Sequence, residues 1–325
     1  MGFLSRLRGA QGSSAAENAP GLQVWTDGIR VSIPGTELVD STTSQQRYAL
    51  WRKSQAFAPE HLLPHIDRHI ERECPPFMAE HRGHGDLSEE ALRAKVGELG
   101  PWFVPFRLAG GSCTMDLGTD QAREAAARVL FRRELITGTV AALLGEELSE
   151  TSVLDIGCNC GFFSLDIGGR GAKHVDGIDL RDENIAQARF LAEHYGTENV
   201  TFRVSDADAF SSEQQWDVVL NLGVLYHVVN PLQFIRQTYE LCRKFAIIDT
   251  VCHSEPISAY LLFGNKNVDK PAEGRETWEF HPTYRGAIET IRYAGFSEVI
   301  EIIGEADPPH PFYVNGSRRC FLAVK

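Results

Sequence analysis

Asp155, Gly157, Asn159 and Gly161 fall in the stretch Val153-Leu-Asp-Ile-Gly-Cys-Asn-Cys-Gly161, an apolar run that breaks into a small-residue turn. The run predicts a buried strand, and a helix is expected to begin near Phe162. The turn then offers bare backbone to a ligand at a helix N-terminus, where larger side chains would block the approach. Its DxGxxxG spacing differs from the GxGxxG of dinucleotide sites. Asn159 takes the middle position and tolerates positive φ better than most residues. Asp179 ends the next apolar run, with Leu180 beside it, and a carboxylate there can accept hydrogen bonds from both hydroxyls of a ribose. Asp206 and Ala207 follow the third run, and Asn221 ends the fourth. Polar groups at the carboxyl ends of successive strands are where open α/β sheets bind ligands.

A second set of residues could move a proton or hold a substrate. Tyr226 and His227 lie just past the fourth run, at the expected mouth of a pocket. His227 could act as a base and Tyr226 could orient an acceptor; the alternative is a helix-start histidine bonded to backbone. The segment 254–283 is too long for a simple connection and carries Tyr260, Trp278 and His281, which suggests an ordered lid. Arg275, Arg318 and Arg319 could pair with an anionic group, or form surface ion pairs in an acidic protein. His253, His281 and His310 are scattered, and Cys158-Asn-Cys160 lacks the spacing of a zinc knuckle, so no metal is expected. The two thiols read instead as small apolar side chains beside a turn.

These residues need a scaffold of alternating elements. From about residue 150, short β-branched runs (TSVLDIG, HVDGIDL, VTFRVSD, WDVVLNLG, FAIIDTV) alternate with mostly amphipathic stretches, predicting βαβ units and a parallel sheet. SEVIEIIG and RRCFLAVK read as two further strands without an intervening helix, fit to pair antiparallel. That terminal pair, with the missing GxGxxG, disfavours an NAD site. Upstream, 1–20 reads as a disordered tail and 23–39 as a small hairpin or arm. Residues 43–74 carry helical spacing, Ser88 opens another helix, and a long helix runs from about Asp120 to Leu144. The expected domains are 1–20, a mostly helical extension over 21–118, and a ligand-binding domain over 119–325 with a lid at about 254–283. With 43% hydrophobic residues a sizeable core can form. A net charge of −12 argues against a broad polyanion-binding surface. A groove built from Arg47, Arg52, Lys53, Arg68, Arg72 and Arg82 would favour RNA instead. No secretory h-region or long apolar span is visible, so the chain reads as cytoplasmic, with its seven cysteines reduced.

The glycine turn resembles the first motif of class I S-adenosylmethionine (SAM)-dependent methyltransferases. Gly223-Val-Leu-Tyr226-His227 with Asn230-Pro-Leu, the Pro101-Trp102 and Pro105-Phe106 pairs, and Arg319 resemble the bacterial tRNA wobble-uridine carboxymethyltransferases, over roughly 95–325. The resemblance implies a Rossmann-like seven-stranded class I methyltransferase sheet with a mainly helical N-terminal extension, and SAM as cofactor. It implies that Asp155 meets the methionine end of SAM, that Asp206 lies near the adenine amino group, and that Asn221 stands beside the methyl-transfer point. Trp102, Phe106, Tyr260, Trp278, His281 and Arg319 are the expected substrate contacts. Where that family has a lysine for the carboxylate of carboxy-SAM, this chain has Val104. A carboxylate facing valine would lose its hydration at a cost of roughly a few kcal/mol, which points to plain SAM. The expectation is methyl transfer to a small molecule, with tRNA modification and a non-catalytic SAM-binding regulator as alternatives.

Overall fold

The computed structural model describes residues 22–25, 28–32, 87–108, 111–255, 257–265, 277–305 and 311–325. The expected tail, the helical stretch 43–74 and the six basic residues of the possible RNA groove lie outside the described residues. Two strands, β1 (Leu22–Trp25) and β2 (Gly28–Ser32), form the hairpin expected of that region. Helix α1 (Glu89–Leu99) starts at Ser88, whose hydroxyl accepts from Ala91 N–H and caps the first turn. The long helix runs as α2 (Asp120–Arg133), one π turn (Glu134–Gly138) and α3 (Thr139–Leu144). It stops at Gly145, whose φ is 55°.

The sheet strands then follow in chain order: β3 (Ser152–Ile156), β4 (His174–Asp179), β5 (Val200–Val204), β6 (Trp216–Leu222) and β7 (Cys242–Val251). Helices α4 (Phe162–Gly169), α5 (Asp182–Tyr195) and α6 (Pro231–Leu241) connect them, while β5 reaches β6 without a helix. A separate hairpin, β8 (Tyr260–Gly264) with β9 (Trp278–Pro282), occupies the expected lid. After α7 (Tyr284–Tyr293) come β10 (Glu298–Glu305), the four-residue α8 (Pro311–Val314) and β11 (Arg318–Val324). The sequence reading missed α8, which is too short to leave a periodic signature. Strand order is β1-β2-β10-β11-β7-β6-β3-β4-β5, with β11 antiparallel to both β10 and β7. The seven strands from β10 to β5 form the expected sheet, and the N-terminal hairpin extends it through β2. No helix among the described residues is long and apolar enough to cross a membrane.

This order places the site. From β3 the chain proceeds outward through β4 and β5, then returns to the other side of β3 for β6 and β7. The reversal opens a crevice at the carboxyl ends of β3 and β6. Strand alternation divides the apolar residues between two layers. Val218, Leu220 and Leu222 of β6 join the layer containing α2 and α3, and Val219 joins the layer under α6 and α7.

Within the first layer, fully buried Asp166 on α4 accepts from Arg133 Nε at 2.8 Å, Arg170 Nε at 2.9 Å and the Thr137 hydroxyl. It pins the π turn to α4. Removing one partner of such a group leaves buried charge uncompensated. Asp166→Ala should therefore cost about 3–5 kcal/mol, read as a lowered urea midpoint with unchanged slope.

Candidate active site

The crevice is a cleft of about 520 Å³. Its floor is the turn after β3. Gly157 has φ 70°, and a Cβ there would meet Val224 Cγ2 at 2.3 Å, so only glycine fits. Asn159 adopts φ 52°, the left-handed conformation foreseen for it. Its backbone N–H donates to Asp179 Oδ2 at 2.8 Å, while Arg181 N–H and the Asn184 amide donate to Oδ1, each at 3.0 Å. Burial still pushes the Asp179 carboxyl above its ordinary value. Asp155 is more extreme. Ser164 donates to its Oδ2 at 2.6 Å, but Oδ1 is buried with no partner. Burial raises its pKa to about 6.

Basic side chains line the same cleft. Arg132 of α2 and Arg318 of β11 both reach Oδ1 of Asp249, a fully buried carboxylate in β7, at 2.9 Å and 2.5 Å. Tyr313 donates to its Oδ2 at 2.5 Å. Burial works to raise the Asp249 carboxyl, but Arg318 and Arg132 together override it and hold it below the usual range. Tyr226 and His227 line the cleft too, with ring centroids 4.1 Å apart. His227 Nδ1 lies 3.1 Å from Glu279 Oε1 of β9. The distance is that of an ion pair, yet the angle falls short of a hydrogen bond, so Nδ1 stays unsatisfied until either side chain rotates slightly. Burial pulls the His227 pKa down to about 4, against the upward pull of Glu279. Glu279 Oε2 also holds His281 Nε2 at 2.7 Å, and His281 Nδ1 lies 3.3 Å from His253 Nε2. These two histidines, scattered in sequence, are neighbours in space.

Asp155, Gly157, Asn159, Asp179, Leu180, Asp206, Ala207, Tyr226 and His227 all line the one cleft. Other expected residues lie elsewhere. Gly161 caps α4, packed beneath Phe202. Asn221 points to the far face of β6 and donates to Thr238 at 3.2 Å, because strand alternation turns it away while Leu222 faces the cleft. Trp102 donates to Val96 O and packs against Phe106, both in the core; their neighbours Phe103 and Val104 line the cleft instead. Arg319 pairs with Glu301 at 2.5 Å and covers Tyr284, so the cleft receives Arg318. Tyr260 bonds Thr290, Trp278 is exposed, and His281 touches the cleft only through Glu279 and the Tyr226 ring. Arg275 and His310 lie outside the described residues. Sequence reasoning missed Arg128, Arg132, Asp249 and Glu279. Cys158 and Cys160 are buried beside the turn, as expected.

Comparison with known proteins decides the family. A methyltransferase domain family matches residues 147–280. A ubiquinone biosynthesis O-methyltransferase of Ruegeria pomeroyi is 32% identical over 230 residues, covering 68% of this chain and 87% of the relative. The chain belongs to the class I SAM-dependent methyltransferases. A tRNA U34 carboxymethyltransferase of Pseudoalteromonas translucida is 35% identical over 92 residues, covering 28% of this chain and 29% of that one. The SAH-bound N-terminal domain of EvdMO1 shares the fold with TM-score 0.57 and 19% identity, covering 75% of this chain and 98% of that one.

SAM is the cofactor of this methyltransferase. The cleft suits it: the buried, unpartnered Oδ1 of Asp155 needs a donor, and the cofactor carries an ammonium. An ammonium beside Asp155 favours the ionised carboxylate, so binding drives a proton off. Near pH 6, where Asp155 is half protonated, titration with S-adenosylhomocysteine should release up to about half a proton per site. Release should fade by pH 8. Heats measured in buffers of different ionisation enthalpy check this, and Asp155→Asn should abolish the difference.

Proposed function

We propose that this methyltransferase methylates a hydroxyl oxygen of a small-molecule acceptor, with His227 as the base. The observation that carries the reading is the buried imidazole of His227 at the cleft, its Nδ1 facing the Glu279 carboxylate at 3.1 Å. The O-methyltransferase relatives, aligned over most of their own length, support oxygen as the acceptor atom. The tRNA-modifying relatives align over less of this chain, 28% and 47%, against 68% for the O-methyltransferase, and Val104, buried in the cleft wall, offers no partner for a cofactor carboxylate.

In this reading Asp155 holds the ammonium of SAM, Asp179 the ribose hydroxyls, and Asp206 with Ala207 flank the adenine. Bound SAM supplies a methyl group already activated by a sulfonium. The remaining work is to align the nucleophile, exclude water and take a proton. His227 is neutral above about pH 4, so its lone pair is available at neutral pH. Glu279 holds a proton on Nδ1, which leaves Nε2 to accept one from the acceptor hydroxyl. Glu279 then stabilises the imidazolium. Glu279 belongs to the β8–β9 hairpin, which docks through Phe280 N–H onto Tyr226 O at 2.9 Å. The lid thus completes the base as well as covering it.

His227→Ala should lower kcat by roughly 10²–10⁴-fold with little change in S-adenosylhomocysteine affinity. The active form is the deprotonated one, so kcat at saturating SAM should fall as pH drops through about 4, while SAM affinity already declines below about pH 6 as Asp155 takes up a proton. Glu279→Gln removes the influence that raises the His227 pKa and should move that acid limb to lower pH while reducing kcat. An unchanged profile in Glu279→Gln would remove His227 from the role of base.

A further inference from the structure

The cleft carries both signs of charge. Asp155 and Asp179 end β3 and β4, and Asp206 follows β5. Arg128 and Arg132 of α2 and Arg318 of β11 line the same cleft, with Arg132 near enough to Asp155 to favour its ionised form. A chain with net charge −12 concentrates three guanidiniums in its active site.

Asp249 does not account for them. Arg132 and Arg318 share its Oδ1, and Tyr313 occupies Oδ2. One carboxylate facing two buried guanidiniums leaves a unit of positive charge uncompensated by Asp249. The donors are not used up either. Arg132 lays its guanidinium over Phe163 at 4.9 Å, and its buried Nε has no hydrogen-bond partner. An unmet buried donor forfeits roughly 1–3 kcal/mol, and this one lies at the cleft, where a ligand oxygen can reach it. Arg128 adds a third guanidinium, 5.0 Å above Phe103.

The position fits the chemistry. A Cβ on Gly223 would lie 2.7 Å from Arg318 Nη2 and 3.6 Å from the Tyr226 hydroxyl, so glycine keeps the arginine against the turn that carries His227. An anion held here would be anchored beside the base. Guanidiniums bind oxyanions through paired N–H donors, which fixes orientation as well as affinity.

We infer that Arg128, Arg132 and Arg318 bind an oxyanion, carboxylate or phosphate, carried by the methyl acceptor, so that this enzyme selects acidic acceptors. The inference rests on the small-molecule reading above and assigns the substrate class of the same site. The competing role for the arginines is to hold the carboxylate of SAM itself.

Calorimetry on the full chain saturated with S-adenosylhomocysteine separates the two, because the cofactor's own carboxylate is then already in place. Benzoate and phenyl phosphate are the anionic probes and benzamide the neutral one. At least one anion should bind tenfold or more tightly than benzamide; the better of the two identifies the oxyanion. Arg132→Gln should weaken that anion at least tenfold, and it leaves Asp249 its Arg318 and Tyr313 partners. Arg128→Gln should weaken it severalfold from a less buried position. Anions that bind no better than benzamide would overturn the inference. So would arginine variants that lose S-adenosylhomocysteine affinity while keeping the anion. Neither readout involves turnover, so failure of His227 as base would leave this result standing.

Discussion

The active site hangs on one buried carboxylate. Asp249 draws Arg132 from α2, Arg318 from β11 and Tyr313 from α8 to a single point, and its backbone carbonyl accepts from Gly223 N–H at 2.7 Å. Three parts of the chain far apart in sequence, α2, the turn after β6 and the α8–β11 stretch, thereby meet near the end of β7. Taking a carboxylate out of water is costly, and only several charge-assisted bonds offset it. Asp249 has those bonds, so it stays ionised in the interior. Without it, Arg132 and Arg318 would repel, and the wall facing the acceptor would lose its shape.

The floor of the cleft rests on backbone rather than charge. The turn after β3 works because Gly157 and Asn159 adopt left-handed conformations that let the backbone approach a ligand. Asn159 N–H donates to Asp179 Oδ2 and Gly157 N–H to Ile178 O, which ties the turn to the end of β4. Acids and arginines line the same cleft as His227, with the acids assigned to the cofactor and the arginines to the acceptor. The sheet order places both sets at one switch point, where neither can form without the other strands in register.

The cofactor side was legible in the sequence because its determinants are local. The glycine turn, the acid ending each apolar run and the alternation of elements all lie within a few residues of one another. Single-residue phase was harder to read. Asn221 and Leu222, and Trp102 and Phe103, are adjacent pairs in which the cleft received the member not expected, and of Arg318 and Arg319, both offered for an anion, only Arg318 lines it. Which face of an extended segment is buried depends on what packs against it, not on the segment alone. Arg132 carried no local signal, since its partner Asp249 lies 117 residues further along the chain. Glu279 carried no signal, since its meeting with His227 depends on how the β8–β9 hairpin docks. Residues that act through long-range packing leave little trace in local spacing.

The account makes SAM the methyl donor and places the negative charge on the acceptor. Titrating the full chain with SAM and with carboxy-SAM tests both at once. SAM should bind the more tightly, because Val104 stands where a carboxylate-pairing lysine would be and the arginines are assigned to the acceptor, and Asp179→Ala should weaken both ligands. A preference for carboxy-SAM would put the anion on the cofactor, return the arginine wall to it, and contradict methyl transfer as the reaction.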